Sequence, residues 1–117
     1  MRGPLFTIPV VWVVASICEE VLARGLLQTM LGAWSGIGWR VGRWRISLPV
    51  WLSGLLFGAG HLILWPVMGP ATLGICVMTG ALGVVAGQLR ASTGSLWPAI
   101  LVHVLFNVGG SLPGWIL

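Results

Sequence analysis

The sequence holds only two acidic residues, adjacent at Glu19 and Glu20, and only two histidines, His61 and His103, which lie in two further apolar stretches. On a helix, Glu20 and Arg24 stand four residues apart and face each other as a natural ion pair, while Glu19 is turned about 100° away. That leaves Glu19 free to exchange a proton with water, the task of a general base. The plainer alternative is that both acids share Arg24. Phe57 and His61 repeat the four-residue spacing, so the aromatic ring helps to fix the imidazole. His103 and Asn107 repeat it again and present an imidazole and a carboxamide to one point, a pairing suited to a developing oxyanion or a substrate carbonyl.

Singly, each histidine reads as a packing residue. Together, two acids and two imidazoles in three apolar segments at similar depth read as one site. The surroundings explain why. Hydrophobic residues make up 57% of the chain and charged residues 7%, with 18 glycines and 8 tryptophans. This composition belongs in a bilayer, where small residues let helices approach and tryptophan sits at headgroup level. An ionisable group costs a few kcal/mol in hydrocarbon, so those retained are candidates for function. All the positive charge is arginine. Its cluster at Arg40, Arg43 and Arg45 reads as a membrane-surface anchor, and nothing suggests nucleic-acid binding.

The elements that must position these groups form an all-α transmembrane bundle of about four spans, a single domain over 1–117. The spans are expected at about 5–31, 48–65, 70–89 and 96–108. Residues 32–45 are expected as an interfacial loop or short amphipathic helix. Ser47 and Pro49 mark a helix start, Pro66 a stop, and Ser95 with Pro98 another start, with Gly109, Gly110 and Pro113 breaking the last helix. Arginine placement makes the loops after the first and third spans cytoplasmic. A cleavable leader ending near Ala15 and Ser16 is the rival reading, but apolar sequence resumes beyond Glu20. Cys18 and Cys76 read as packing thiols rather than as a disulfide or a nucleophile. At about 1.5 Å per residue, Glu19, His61 and His103 lie about 18, 21 and 12 Å into the bilayer. Gly54 and Gly58 on the second span match Gly83 and Gly87 on the third as small-residue contact faces.

Glu19-Glu20-Val-Leu-Ala-Arg24 resembles an EExxxR motif, Phe57-Gly-Ala-Gly-His61 an FxxxH motif, and His103-Val-Leu-Phe-Asn107 an HxxxN motif. Their order and placement in successive apolar segments resemble the CAAX-protease and bacteriocin-processing (CPBP, Abi) family of intramembrane proteases. The resemblance covers about Cys18 to Asn107. It implies hydrolysis of a peptide bond in a prenylated CAAX-type or bacteriocin-type peptide. Glu19 would activate water with help from His61, His103 and Asn107 would stabilise the oxyanion, and Glu20, Arg24 and Phe57 would support the site. Relatives carry further spans before the EExxxR helix, which makes this chain a minimal or truncated core and leaves room for a homo-oligomer or a partner membrane protein.

One carboxylate and two imidazoles, Glu19, His61 and His103, also compose a three-ligand zinc site with an open position. Asn107 favours the metal-free alternative, because an oxyanion donor has an evident role where no Lewis acid polarises the carbonyl. No cofactor is therefore expected. Membrane lipids and a hydrophobic or lipidated peptide are the expected partners. Two other classes compete: a catalytically silent immunity or scaffold protein that binds a peptide, and a small proton-conducting unit. A relay has no need of HxxxN, and four short spans leave little room for alternating access.

Overall fold

The computed structural model describes residues 3–112, and the turn at Pro113 lies outside them. The chain is mostly helical. Helix α1 covers residues 4–30 and is wound unevenly: Pro4–Phe6, Ser16–Glu20 and Gln28–Met30 are α-helical, while Thr7–Ala15 and Val21–Leu27 are π-helical. Helix α2, Leu48–Met68, passes through a 3₁₀ turn at His61–Leu64; α3 is Ala71–Thr93 and α4 is Trp97–Ser111.

Winding decides which side chains α1 turns inward. In an α-helix of 3.6 residues per turn, each fourth residue falls about 40° ahead of the last. The wider π turn, closed by i→i+5 bonds, takes more residues per turn and rotates the fourth residue back. An α segment between two π segments therefore holds a four-residue repeat on one face, and Ser16, Glu20, Arg24 and Gln28 are all buried.

Two corrections concern α2 and the loop before it. The larger part of the segment 32–45 is a β-hairpin, not a loop or an amphipathic helix. After a short 3₁₀ turn at Gly32–Trp34 comes an antiparallel hairpin, β1 (Gly38–Val41) paired with β2 (Trp44–Ser47), in the register Trp39 with Ile46 and Arg40 with Arg45. Gly42 opens its two-residue turn at φ 60°, a conformation cheap only for glycine. The fold is thus a helical bundle with one small hairpin. Second, Pro66 does not close the second span, because it enters the first turn of the segment Trp65–Met68, where its missing N–H costs no helical bond.

The last two helices also outrun their expected ends. Helix α3 reaches Thr93 and stops at Gly94, whose φ of 69° suits the left-handed cap. Helix α4 continues through Gly109 and Gly110 to Ser111, so those glycines do not break it. Leu96, not Ser95, stands at the N-cap of α4, and no side chain caps it; Ser95, one residue earlier, accepts from Trp97 N–H at 3.3 Å. Among the described residues two helices, α2 and α3, are long and apolar enough to cross a membrane, against the four spans expected.

Helices α2 and α3 touch backbone to backbone. A Cβ on Gly54 would come within 2.7 Å of Val84 N, and one on Gly83 within 2.8 Å of Gly54 Cα. Gly58 is as tight, its partners being Cys76 and Gly80 rather than Gly87. Gly83→Ala is therefore expected to destabilise the bundle by about 1–3 kcal/mol, since overpacking must push the helices apart. Gly80→Ala is the comparison, because its Cβ would stand 3.8 Å from its neighbours. Denaturant unfolding of the purified protein should separate the two, and equal midpoints would refute the close approach.

Candidate active site

The buried stripe of α1 is a ladder of bonds to its neighbours. Toward α4, Trp12 Nε1 donates to Ser111 Oγ at 3.1 Å, Asn107 Nδ2 donates to Ser16 Oγ at 2.9 Å, and His103 Nδ1 meets Glu20 Oε1 at 2.8 Å. Toward α3, Arg24 Nη2 donates to the Gly83 carbonyl at 2.6 Å and Gln28 Nε2 to the Gly87 carbonyl at 3.0 Å. The missing side chains of Gly83 and Gly87 let these long polar groups reach the backbone. A Cβ there would stand 2.7 Å from Arg24 Nη2 and 3.0 Å from Gln28 Oε1 respectively.

Glu20 is the hub. Its Oε1 accepts from Arg24 Nη1 at 3.2 Å as well as from His103, with the Glu20, Arg24 and His103 side chains nearly or wholly buried. Arg24 also lies over the Phe57 ring, 4.8 Å from guanidinium carbon to centroid. That ring meets the edges of both imidazoles, at 5.2 Å for His61 and 5.4 Å for His103. Phe57 thus braces His103 and Arg24 as well as His61. His61 Nδ1 is bonded to the Phe57 carbonyl at 3.0 Å, which leaves Nε2 as the ring's free nitrogen.

Glu19 is placed differently from its neighbour. Its side chain is 43% exposed, and its Oε2 faces His103 Nε2 at 3.6 Å, longer than a hydrogen bond. It lines two adjoining clefts, of about 370 and 250 Å³, which share Glu19, Leu56 and Phe57; His61 lines the larger and Ser53 the smaller. The two carboxylates thus occupy unlike environments, one fixed by Arg24 and His103 and one open to a cavity. The structure brings Glu19, Glu20, Arg24, Phe57 and His103 into direct contact, sets His61 across the cleft wall, and seats Asn107 one turn along α4 on Ser16.

The donors do not gather as a metal site. Among the described residues no three His, Cys, Asp or Glu side chains are arranged to hold an ion. His103 Nδ1 is bonded to Glu20 and His61 Nδ1 to a carbonyl, which leaves the opposite nitrogen, Nε2, on each ring. Cys18 and Cys76 are free thiols outside the ladder.

A family model described as type II CAAX prenyl endopeptidase, Rce1-like, matches residues 1–109, which contain Glu19, Glu20, Arg24, Phe57, His61, His103 and Asn107. The chain belongs to the Rce1-like family. Comparison with curated proteins and with solved structures returned no match. Membership brings a membrane-embedded fold and protease chemistry in general.

Ser16, Gln28 and Ser53 belong to the same buried hydrogen-bond network and escaped the sequence reading. Ser53 Oγ lies 3.4 Å from Gln28 Oε1 and 3.2 Å from the Val50 carbonyl, so it ties α2 into the α1–α3 junction. The signal for Ser16 and Gln28 was present as the four-residue repeat Ser16, Glu20, Arg24, Gln28, which ideal α-helical geometry spreads around the helix.

Proposed function

We propose that this protein is an intramembrane endopeptidase that cleaves a prenylated CAAX-type peptide with water activated by Glu19. The observation that carries the reading is the contrast between the two acids: Glu20 locked by Arg24 and His103, and Glu19 half exposed at the junction of two clefts beside His103 Nε2. Glu19 takes a proton from water as the water oxygen adds to the scissile carbonyl carbon, and the carbonyl electrons move onto its oxygen. On collapse the C–N bond breaks, and Glu19 returns the proton to the leaving amine.

The other residues position this exchange. Glu20 fixes the His103 ring, which is turned toward Glu19, while Phe57 braces both imidazoles and His61 assists from the wall of the larger cleft. Asn107 keeps one amide N–H for Ser16 and has a second to offer the oxyanion. No step is routed through a metal. In this reading α1 and α4 join α2 and α3 as the four spans of the domain, with the arginine-bearing ends cytoplasmic.

The test is release of the C-terminal fragment from a labelled farnesylated peptide by the protein reconstituted in liposomes. Turnover by the parent supports the reading; its absence under conditions where the protein is folded refutes it. In the same assay Asn107→Ala should lower kcat about a hundredfold with little change in KM, the pattern of a donor used only in the transition state. An unchanged kcat would remove Asn107 from the oxyanion site.

A further inference from the structure

Among the described residues, Arg90 is a cation without a counter-ion. The chain has only two carboxylate side chains, and both are engaged around Arg24 and His103. The Arg90 side chain makes no hydrogen bond or ion pair with any described residue, and its Nε is buried without a partner. A partly buried guanidinium in so apolar a chain calls for an anion from outside it.

The surroundings of Arg90 are those of an anion site. It lines a cleft of about 290 Å³ together with Arg24, Gln28, Ser35 and Ser47. The Ser35 and Ser47 hydroxyls bond no other described residue, and Ser47, at the N-terminus of α2, does not cap that helix. Ser47 and Pro49 set the cleft at the positive end of α2, where unsatisfied amides and the helix dipole favour negative charge. Arg24 is already neutralised by Glu20, which leaves Arg90 as the net charge. No acidic residue lines the cleft.

We propose that this cleft binds a phosphate group, supplied by the headgroup of an anionic membrane lipid. Its position argues for that source. The adjoining hairpin carries Arg40 and Arg43 and exposes Trp39 and Trp44 at about half their surface, the residue types found at headgroup level. Arg45 braces the hairpin by donating to the carbonyls of Ser35 and Gly36, while Gln88 on α3 donates to the Arg45 carbonyl. A lipid phosphate would close the gap between this hairpin, the start of α2 and the end of α3.

Native mass spectrometry of the full chain from micelles doped equally with phosphatidylglycerol and phosphatidylcholine tests the proposal. The parent should retain phosphatidylglycerol in preference. Arg90→Gln should retain about tenfold less, Arg90→Lys should keep most of the preference, and Arg40→Gln should change it by no more than about twofold. Equal losses in Arg90→Gln and Arg40→Gln would show diffuse surface attraction and overturn the site, as would no loss in either. Inorganic phosphate added to the same micelles separates the sources. Displacement of the lipid confirms a shared phosphate site, whereas phosphate binding that depends on Arg90, with lipid retention that does not, assigns the cleft to soluble phosphate and overturns the lipid as its source. Since the Arg90 side chain makes no bond with any described residue, the variants are expected to elute as the parent does.

Discussion

Glu19→Gln is expected to lower kcat for a farnesylated CAAX-type peptide about a thousandfold, within the range that general bases contribute, while leaving folding intact. The change removes the proton acceptor at nearly constant shape. It should cost little stability, because Glu19 is 43% exposed and its polar contact is the 3.6 Å approach to His103 Nε2. Glu20→Gln is the informative comparison. That carboxylate is fully buried on Arg24 and His103, so its loss should appear first as a lower unfolding midpoint and only then as lost turnover. Activity and unfolding measured on both variants distinguish the roles. A Glu19→Gln protein with the parent's kcat would remove Glu19 as the base, and one that unfolds as readily as Glu20→Gln would mean that the two acids share a structural role.

The sequence carried the site's cast further than its scaffold. Spacing alone paired Glu20 with Arg24, set Phe57 beside His61 and left Glu19 apart, because each inference needed only one turn of helix, over which the winding hardly matters. Errors grew with distance. Keeping Ser16 and Gln28 in line with Glu20 requires knowing that α1 alternates between α and π turns, and no short motif encodes that. The bond from Arg24 to the Gly83 carbonyl depends on a residue 59 positions away and on the absence of a side chain there.

The hairpin is a different case. Trp39, Val41, Trp44 and Ile46 flank a glycine turn in the alternation that marks a β-ribbon. The three arginines between them drew the reading toward the membrane surface and away from backbone structure. Element ends misled for a related reason: Pro66, Gly109 and Gly110 are helix breakers by propensity, yet Pro66 falls where no N–H is needed, and the two glycines continue a helix already tied to α1 by His103 and Asn107.

Arg24→Met is expected to destabilise the bundle by about 3–5 kcal/mol, the cost of stranding a buried charge, more than any other single change on the α1 stripe. The loss has three parts: Glu20 is left with His103 alone, the Gly83 carbonyl loses its side-chain donor, and the Phe57 ring loses the cation above it. Most of it should come from the carboxylate, since Glu20 Oε2 is already buried without a partner even when Arg24 is present. Adding Glu20→Gln to Arg24→Met should therefore recover part of the stability. A double-mutant cycle by denaturant unfolding should return a coupling of about 2 kcal/mol or more, in the range of residues that share one network. Strictly additive losses would mean that Glu20 draws its support from His103 and that Arg24 serves α3 instead. The recovered double variant should still cleave poorly, because a neutral carboxamide in place of the Glu20 carboxylate no longer holds the His103 ring by a charge-assisted bond, and the ring then loses its fixed orientation toward Glu19. Stability regained without turnover would separate the two tasks of this buried pair: holding α1 against its neighbours, and aiming the imidazole at the base.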